Sequence, residues 1–342
     1  MKFRRKACRL RRIRPLWDGG KGYNYGLPDS VKFILERLQG LEKPDYWDIA
    51  AITGDSVAQV YNRNPATGCE YCVSGYLAGP EHIAYVFDAL GYDCEYAPAG
   101  QINIDKVVEY IDKGIPILVK TNIHDIPGWE SDVGTYPLVI GYKNRGQTLR
   151  LHVDGKTIID YTLHENSKLD MIFIGEKKRD VTLEELYLQA IRKMPHWLRL
   201  PERGGMFFGA AAFRAWAEDI EAGRFEDETL PLWENYGIYV CNLATSPAIP
   251  YYILKKLNYM ALHDEIVRLF PSFKPDDCSP DERRDGLWSE LEHLGGGMNL
   301  DEVKNTMRDK EKRARVAAAL RDYAGRLDQA LVLLEEGLAE EI

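Results

Sequence analysis

The feature that most constrains this chain is a change of pattern near residue 179. Before that point lie four short apolar segments rich in branched residues: "IPILVK" (Ile115–Lys120), "YPLVIGY" (Tyr136–Tyr142), "LRLHVD" (Leu149–Asp154) and "LDMIFIG" (Leu169–Gly175). Such segments predict buried strands. Because helical patterns come first and the strands then follow one another, they favour an antiparallel sheet over alternating βαβ units. We therefore predict an α+β fold, with residues 1–178 forming an α+β domain and residues 179–342 an all-α helical domain.

Helical periodicity supports this division. Apolar residues at helical spacing predict helices over Ser30–Leu38, through "PEHIAYVFDALGYD" and over Ile104–Gly114 in the first part. In the second part, Thr182 and Glu185 have the spacing of a capping box at a helix start. A stripe of apolar residues every three or four positions predicts a long final helix from Asp309 to about Glu340.

Composition limits the class of protein. The chain has 342 residues, and its six cysteines are too few for a disulfide scaffold. No apolar run reaches the length of a membrane span, and no secretory signal pattern is present at the N-terminus. These features predict a cytoplasmic protein without a membrane span.

Charge is unevenly distributed. The net charge of −9 disfavours nucleic acid as a partner of the whole protein. The first fourteen residues, "MKFRRKACRLRRIR", nevertheless carry eight Lys and Arg and no acid. One interpretation is an arm that binds nucleic acid or an anionic surface. Another is an ordered basic segment that lies on the acidic body of its own protein. An organellar transit peptide is a further possibility, although the segment contains no Ser.

The stretch "YNYGLPDSVKFILERLQG" (Tyr23–Gly40) combines a loop, a turn at Pro28 and an amphipathic helix. Cysteine-dependent enzymes often place their nucleophile at such a helix start, where the helix dipole lowers the pKa of a thiol. This stretch contains no cysteine. The chemistry, if any, must therefore come from another residue.

Together, this helix, "GPEHIAYVFDALGYD", "IDKGIPILVK" and "YPLVIGYKNRGQTLRLHVD" resemble bacterial papain-like proteins related to the double-glycine leader peptidases and to the N-terminal domain of the butirosin-biosynthesis acyltransferase. The resemblance implies a papain-like domain with a catalytic cysteine, a histidine on a sheet strand and an acid that orients it. The cysteine position falls at Gly26, or at Ser30 in a shifted register. The histidine position falls at Tyr136, or at Thr135 after a one-residue shift. Only the acid is retained, as Asp154.

Residue by residue, a weak catalytic set remains. Ser30 is a candidate nucleophile, although serine is common at helix starts for structural reasons. His152 and Asp154 alternate on one predicted strand, so both face the same side and a Ser–His–Asp set is conceivable. A half-exposed strand histidine is, however, more often structural.

Other candidates concern binding. In the loop "NIHDIPGWES", His124 and Trp129 can form a lip over a ligand, or simply belong to a polar surface loop. The lone C-x-x-C of Cys69 and Cys72 has no second ligand pair, so we assign neither a metal site nor a cofactor.

The sequence thus predicts a catalytically degenerate papain-like protein that binds a small molecule or peptide in the inherited cleft, through Gly26, Tyr136, His124 and Trp129. One alternative is an active acyltransferase or hydrolase that uses Ser30 or a repositioned cysteine. The other is a binder of nucleic acid or an anionic surface through residues 1–14.

Overall fold

The computed structural model describes residues 6–16, 25–39, 44–64, 72–77, 79–122, 125–129, 136–243, 263–269 and 286–340. Within these residues the chain divides into two compact units. The first takes its described residues from Met1–Thr53 and Ser74–Leu186, and the second from Gly54–Ala66, Glu70–Val73 and Tyr187–Ile342. Helices combined with an antiparallel sheet give the α+β class that the sequence predicts.

Within its described residues, the first unit contains a seven-stranded sheet and five α-helices. Its strands are β1 (Cys8–Arg9), β3 (Tyr92–Ala97), β4 (Ile117–Lys120), β5 (Leu138–Lys143), β6 (Thr148–Asp154), β7 (Thr157–Thr162) and β8 (Asp170–Lys177). The helices are α1 (Gly26–Gln39), α2 (Tyr46–Ile52), α3 (Val73–Leu77), α4 (Pro80–Ala89) and α5 (Ile104–Asp112).

The strand order is β3-β8-β4-β5-β6-β7, and every pairing is antiparallel. All residues of β5 except the last are buried, as expected for a central strand covered on both faces. On one side, Asp112 of α5 accepts a hydrogen bond from the Tyr142 hydroxyl of β5. On the neighbouring strand β6, the ring of His152 contacts Phe33 of α1.

The basic N-terminal segment, from Lys6 onward, belongs to this sheet. β1 pairs with the second half of β5, whose first half pairs with β4. Gly141 permits this approach, because a Cβ there would lie only 2.7 Å from the carbonyl oxygen of Cys8. The Leu10 N–H then donates to the Ile140 carbonyl, and Leu16 bridges to Gly155. This placement agrees with the interpretation of an ordered segment that lies on its own protein.

The second unit is mainly helical, with β2 (Val60–Asn62) paired to β9 (Met206–Phe208). The sequence pattern gave no sign of β9, which is three residues long. The α-helices of this unit are α6 (Leu183–Leu198, which begins in the first unit), α7 (Gly209–Glu221), α8 (Ile238–Asn242), α9 (His263–Leu269), α10 (Leu287–His293), α11 (Leu300–Arg308) and α12 (Lys310–Glu340). The predicted capping box at Thr182 and Glu185 is present, with both reciprocal hydrogen bonds formed.

The long helix α12 packs along α7. The Phe213 and Tyr323 rings lie 4.8 Å apart, and Arg321 pairs with Glu221 at the surface. Segment Gly54–Ala66 belongs to this unit although it precedes residue 179, because β2 needs β9 as its partner. A contiguous boundary at residue 179 does not capture that long-range pairing.

Candidate functional site

The start of α1 lies four residues earlier than the sequence pattern predicts. The helix begins at Gly26, not Ser30, since Pro28 is tolerated in a first turn where its missing N–H would have no helical partner. Gly26 therefore occupies the helix N-terminus. Ser30 lies in the second turn, where the helix dipole no longer favours an anionic nucleophile.

Ser30 is fully buried, and its hydroxyl is engaged. Its Oγ donates a hydrogen bond of 2.5 Å to the backbone carbonyl of Tyr136, just before β5. The structure thus brings together the helix and the strand that carry the expected nucleophile and histidine positions. The hydroxyl proton, however, points to a carbonyl oxygen, which cannot act as a general base near neutral pH.

Tyr136 fills the position where the resemblance places a histidine. It is also buried, and its hydroxyl donates a 2.8 Å hydrogen bond to the backbone carbonyl of Ser74 in α3. Ser30, Tyr136 and Ser74 therefore connect three segments of the first unit through two hydrogen bonds. Buried polar groups require such partners, so the arrangement has a clear structural role.

His152 is not half-exposed, as the strand pattern suggested, but fully buried. Its Nε2 lies 2.9 Å from the carbonyl oxygen of Arg14, and its Nδ1 lies 3.2 Å from that of Thr157. A neutral imidazole donates through only one nitrogen, whereas an imidazolium would donate through both. Among the described residues, His152 makes no hydrogen bond to Ser30 or Asp154, so the conceivable Ser–His–Asp set is not assembled.

The expected alternation also fails between His152 and Asp154. Their partners on β7 are Ile158 and Thr157, so β6 advances two residues where β7 advances one. This bulge breaks the alternation of side chains along β6. The two residues therefore cannot be assigned to one side of the sheet by counting.

Asp154 is instead joined to Trp129. The indole Nε1 donates a 3.0 Å hydrogen bond to Oδ2 of Asp154, and Trp129 is 6% exposed. This pairing links two sequence candidates that lie 25 residues apart. Trp129 is thus buried, not a fully exposed loop residue. His124, the other candidate of that loop, lies outside the described residues.

Sequence reasoning missed an ion-pair cluster beside α1. Arg14 contacts Asp29 at 2.8 Å and Glu36 at 2.8 Å, and its guanidinium lies over the Phe33 ring. Burial alone would lower the pKa of Arg14, but attraction to Asp29 and Glu36 outweighs it and raises the pKa. The available signal was the spacing of Asp29 and Glu36, which puts both acids on one helix face.

Comparison with known proteins adds no relative. No family model matches this chain, and a search of curated proteins finds no match. No group of three or more His, Cys, Asp or Glu side chains within the described ranges is arranged to hold a metal ion. None of the helices described above is both long enough and apolar enough to cross a membrane.

Proposed function

We propose that the first unit is a papain-like domain that has lost its catalytic groups and binds a small molecule or peptide in the inherited cleft. The observation that carries this proposal is the pair of hydrogen bonds made by Tyr136. Its carbonyl takes the Ser30 proton, and its hydroxyl is used on Ser74. Both expected catalytic positions thus serve the packing of the unit.

The chemistry argues against a serine enzyme at this position. A serine nucleophile needs an adjacent base that accepts its proton. The phenol of Tyr136 is a poor base near neutral pH, because an ordinary tyrosine has a pKa near 10. The nitrogens of His152 both face backbone carbonyls. These contacts argue against turnover at this position.

The pair of Trp129 and Asp154 supplies the binding chemistry. One carboxylate oxygen of Asp154 is held by the indole, and the group is half-buried. An ionised carboxylate accepts several hydrogen bonds, so it can take further donors. A ligand with an amine or amide N–H, including a peptide, matches this acceptor.

The test of degeneracy compares hydrolysis and acyl transfer of peptide and thioester substrates by the wild type, Ser30→Ala and His152→Ala. We expect no turnover in the wild type above that of Ser30→Ala. Turnover that falls by about 10²-fold or more in either variant, the scale of a lost catalytic base, would establish the alternative of an active acyltransferase or hydrolase.

A second experiment tests the positional match to papain-like proteins. If Gly26 and Tyr136 occupy the cysteine and histidine positions, Gly26→Cys combined with Tyr136→His places a thiol beside a base at a helix start. Alkylation of Cys at 26 by iodoacetamide at about pH 6 should then be at least about tenfold faster than in Gly26→Cys alone. Equal rates, measured by mass spectrometry of the peptide, would contradict the match.

Binding is tested directly with a panel of amines and dipeptides, using calorimetry on the full chain. We expect Asp154→Asn to weaken any binding and Asp160→Asn, on β7, to leave it unchanged. Binding that is equally strong in the wild type and Asp154→Asn would show that the ligand does not use this carboxylate.

A further inference from the structure

The segment that follows β1, residues 10–16, is called the arch and forms a basic concavity. Leu10 makes the last backbone hydrogen bond to β5, and the next backbone contact with the sheet is the bridge of Leu16 to Gly155. A concavity of about 470 Å³ lies here, lined by Arg9, Leu10, Arg11, Arg12 and Ile13. This volume is within the range of small-molecule sites, roughly 300–1,000 Å³.

The arginines of this concavity have no acidic partners among the residues that the structure describes. Arg9, Arg11 and Arg12 are exposed, and none of the three forms an ion pair with any carboxylate in the described part of the chain. The neighbouring Arg14, by contrast, pairs with both Asp29 and Glu36. The protein has 53 acidic and 44 basic residues, so acids are not scarce. Three exposed arginines thus line one concavity without a carboxylate partner in the described part of the chain.

A fourth arginine holds the arch in shape. The guanidinium of Arg37 donates hydrogen bonds to the carbonyls of both Arg11 and Arg12 and lies over the Phe33 ring. Arg12 has a φ of +56°, in the left-handed region that is unfavourable for a non-glycine residue. Burial lowers the pKa of Arg37, Glu36 opposes this, and the nearby positive charge of Arg12 lowers it further. The fold thus keeps like charges together at some cost.

We propose that this concavity, lined by Arg9, Arg11 and Arg12, binds the phosphate group of a small anionic ligand. Guanidinium groups bind phosphate through paired, charge-assisted hydrogen bonds, and several of them around one concavity suit its multiple oxygens. A small ligand is favoured over a polyanion because the site is concave and the chain as a whole carries −9, which repels an extended polyanion. This site is independent of the binding role proposed for Asp154.

The test is calorimetric titration of the full chain with inorganic phosphate and pyrophosphate at low ionic strength. We expect pyrophosphate to bind and to be weakened at least about tenfold in Arg11→Gln and in Arg12→Gly. Glycine accepts the left-handed conformation at position 12, so that variant removes the guanidinium without disturbing the arch. The matched control is Arg192→Gln, an exposed arginine of α6, which should bind as the wild type does.

Two further probes identify the source of the phosphate. Vesicles containing phosphatidylserine and a short single-stranded oligonucleotide are titrated in parallel. Stronger binding of pyrophosphate than of either probe supports the proposal. Binding of vesicles or oligonucleotide without binding of pyrophosphate would overturn it in favour of an anionic surface or nucleic acid. Absence of binding to every probe, or equal binding by all variants, would also overturn it.

Discussion

The Ser30 hydroxyl donates a 2.5 Å hydrogen bond to the backbone carbonyl of Tyr136, and both residues are buried. This single contact joins α1 to the entry of β5 across 106 residues of sequence. It also argues against the serine as a nucleophile, since its hydroxyl donates to a backbone carbonyl, which cannot act as a general base.

Removing this hydroxyl should affect stability more than any activity. Ser30→Ala leaves the buried Tyr136 carbonyl without its side-chain donor, which typically costs about 1–3 kcal/mol. We expect that loss in the free energy of unfolding, measured in urea. Ser289→Ala in α10 is the control and should be neutral or slightly stabilising, because alanine favours helix. A Ser30→Ala protein as stable as the wild type would contradict a structural role.

The contact between Trp129 and Asp154 gives a second prediction. Trp129→Phe keeps most of the ring packing but removes the donor to a carboxylate, and we expect a loss of about 1.5 kcal/mol, the lower end for charged acceptors. We take the low end of the range for charged acceptors because water can hydrogen-bond to the half-buried carboxylate once the indole is removed. Trp233→Phe is the control, since Trp233 is 40% exposed, and it should stay within about 0.5 kcal/mol of the wild type.

Two cysteines should react slowly with alkylating reagents. Burial raises the pKa of Cys241 to about 11, and burial together with the Asp93 carboxylate raises that of Cys94. At pH 8 only about one part in a thousand of Cys241 is then thiolate. A more basic thiolate is also a stronger nucleophile, which partly offsets its small population. We therefore expect alkylation about tenfold or more slower than that of glutathione.

Mass spectrometry of iodoacetamide-treated protein measures these rates peptide by peptide. Any ligand binding should survive the treatment, because no cysteine is assigned to the cleft. Labelling of Cys241 as fast as glutathione would contradict its burial.

Asp160 predicts a dependence of stability on pH. The hydrogen bond from Lys143 lowers its pKa below 3.8, burial opposes the shift, and Arg150 adds to it. A carboxylate with a lowered folded-state pKa stabilises the fold above its unfolded pKa and loses this contribution as the pH falls through the folded value. Since the side chain is 36% exposed, the effect at pH 7 is discounted to about 0.2–1 kcal/mol.

Urea unfolding of the wild type and Asp160→Asn across pH tests this prediction. The difference between them should be constant near neutrality and shrink below about pH 4. A difference that grows as the pH falls would have the wrong sign for a lowered pKa.

Two glycines with nearly equal backbone angles form a matched pair. Gly91 and Gly100 have φ of +83° and +84°. A Cβ at Gly91 would lie 2.4 Å from the Arg179 carbonyl oxygen, whereas one at Gly100 meets nothing within 4 Å. Gly100→Ala should cost about 1 kcal/mol from backbone strain alone, and Gly91→Ala about 1–3 kcal/mol more. Thermal and urea unfolding measure the stability of both variants. Equal losses would contradict the close contact of Gly91 with the Arg179 carbonyl.

The sequence by itself determined the local elements. Branched apolar runs predicted β4, β5, β6 and β8 to within two residues, and helical stripes predicted α4, α5 and α12, because these patterns follow from which face of each element is buried. It also predicted the capping box at Thr182, which depends on residues only three positions apart. The short strands β1, β2 and β9 escaped prediction, since two or three residues carry no measurable period. The six-residue strands β3 and β7 were also not predicted.

Only the tertiary structure decided the site. The sequence could bring Ser30 and Tyr136 together only through a resemblance, and it could not show that a backbone carbonyl accepts the serine proton. Burial of His152, the bulge before Asp154 and the pairing of Trp129 with that acid all depend on contacts between segments far apart in the chain. The same holds for Arg9, Arg11 and Arg12 of the basic concavity. Their neighbours, Arg37 included, are set by packing against α1 and not by any local pattern.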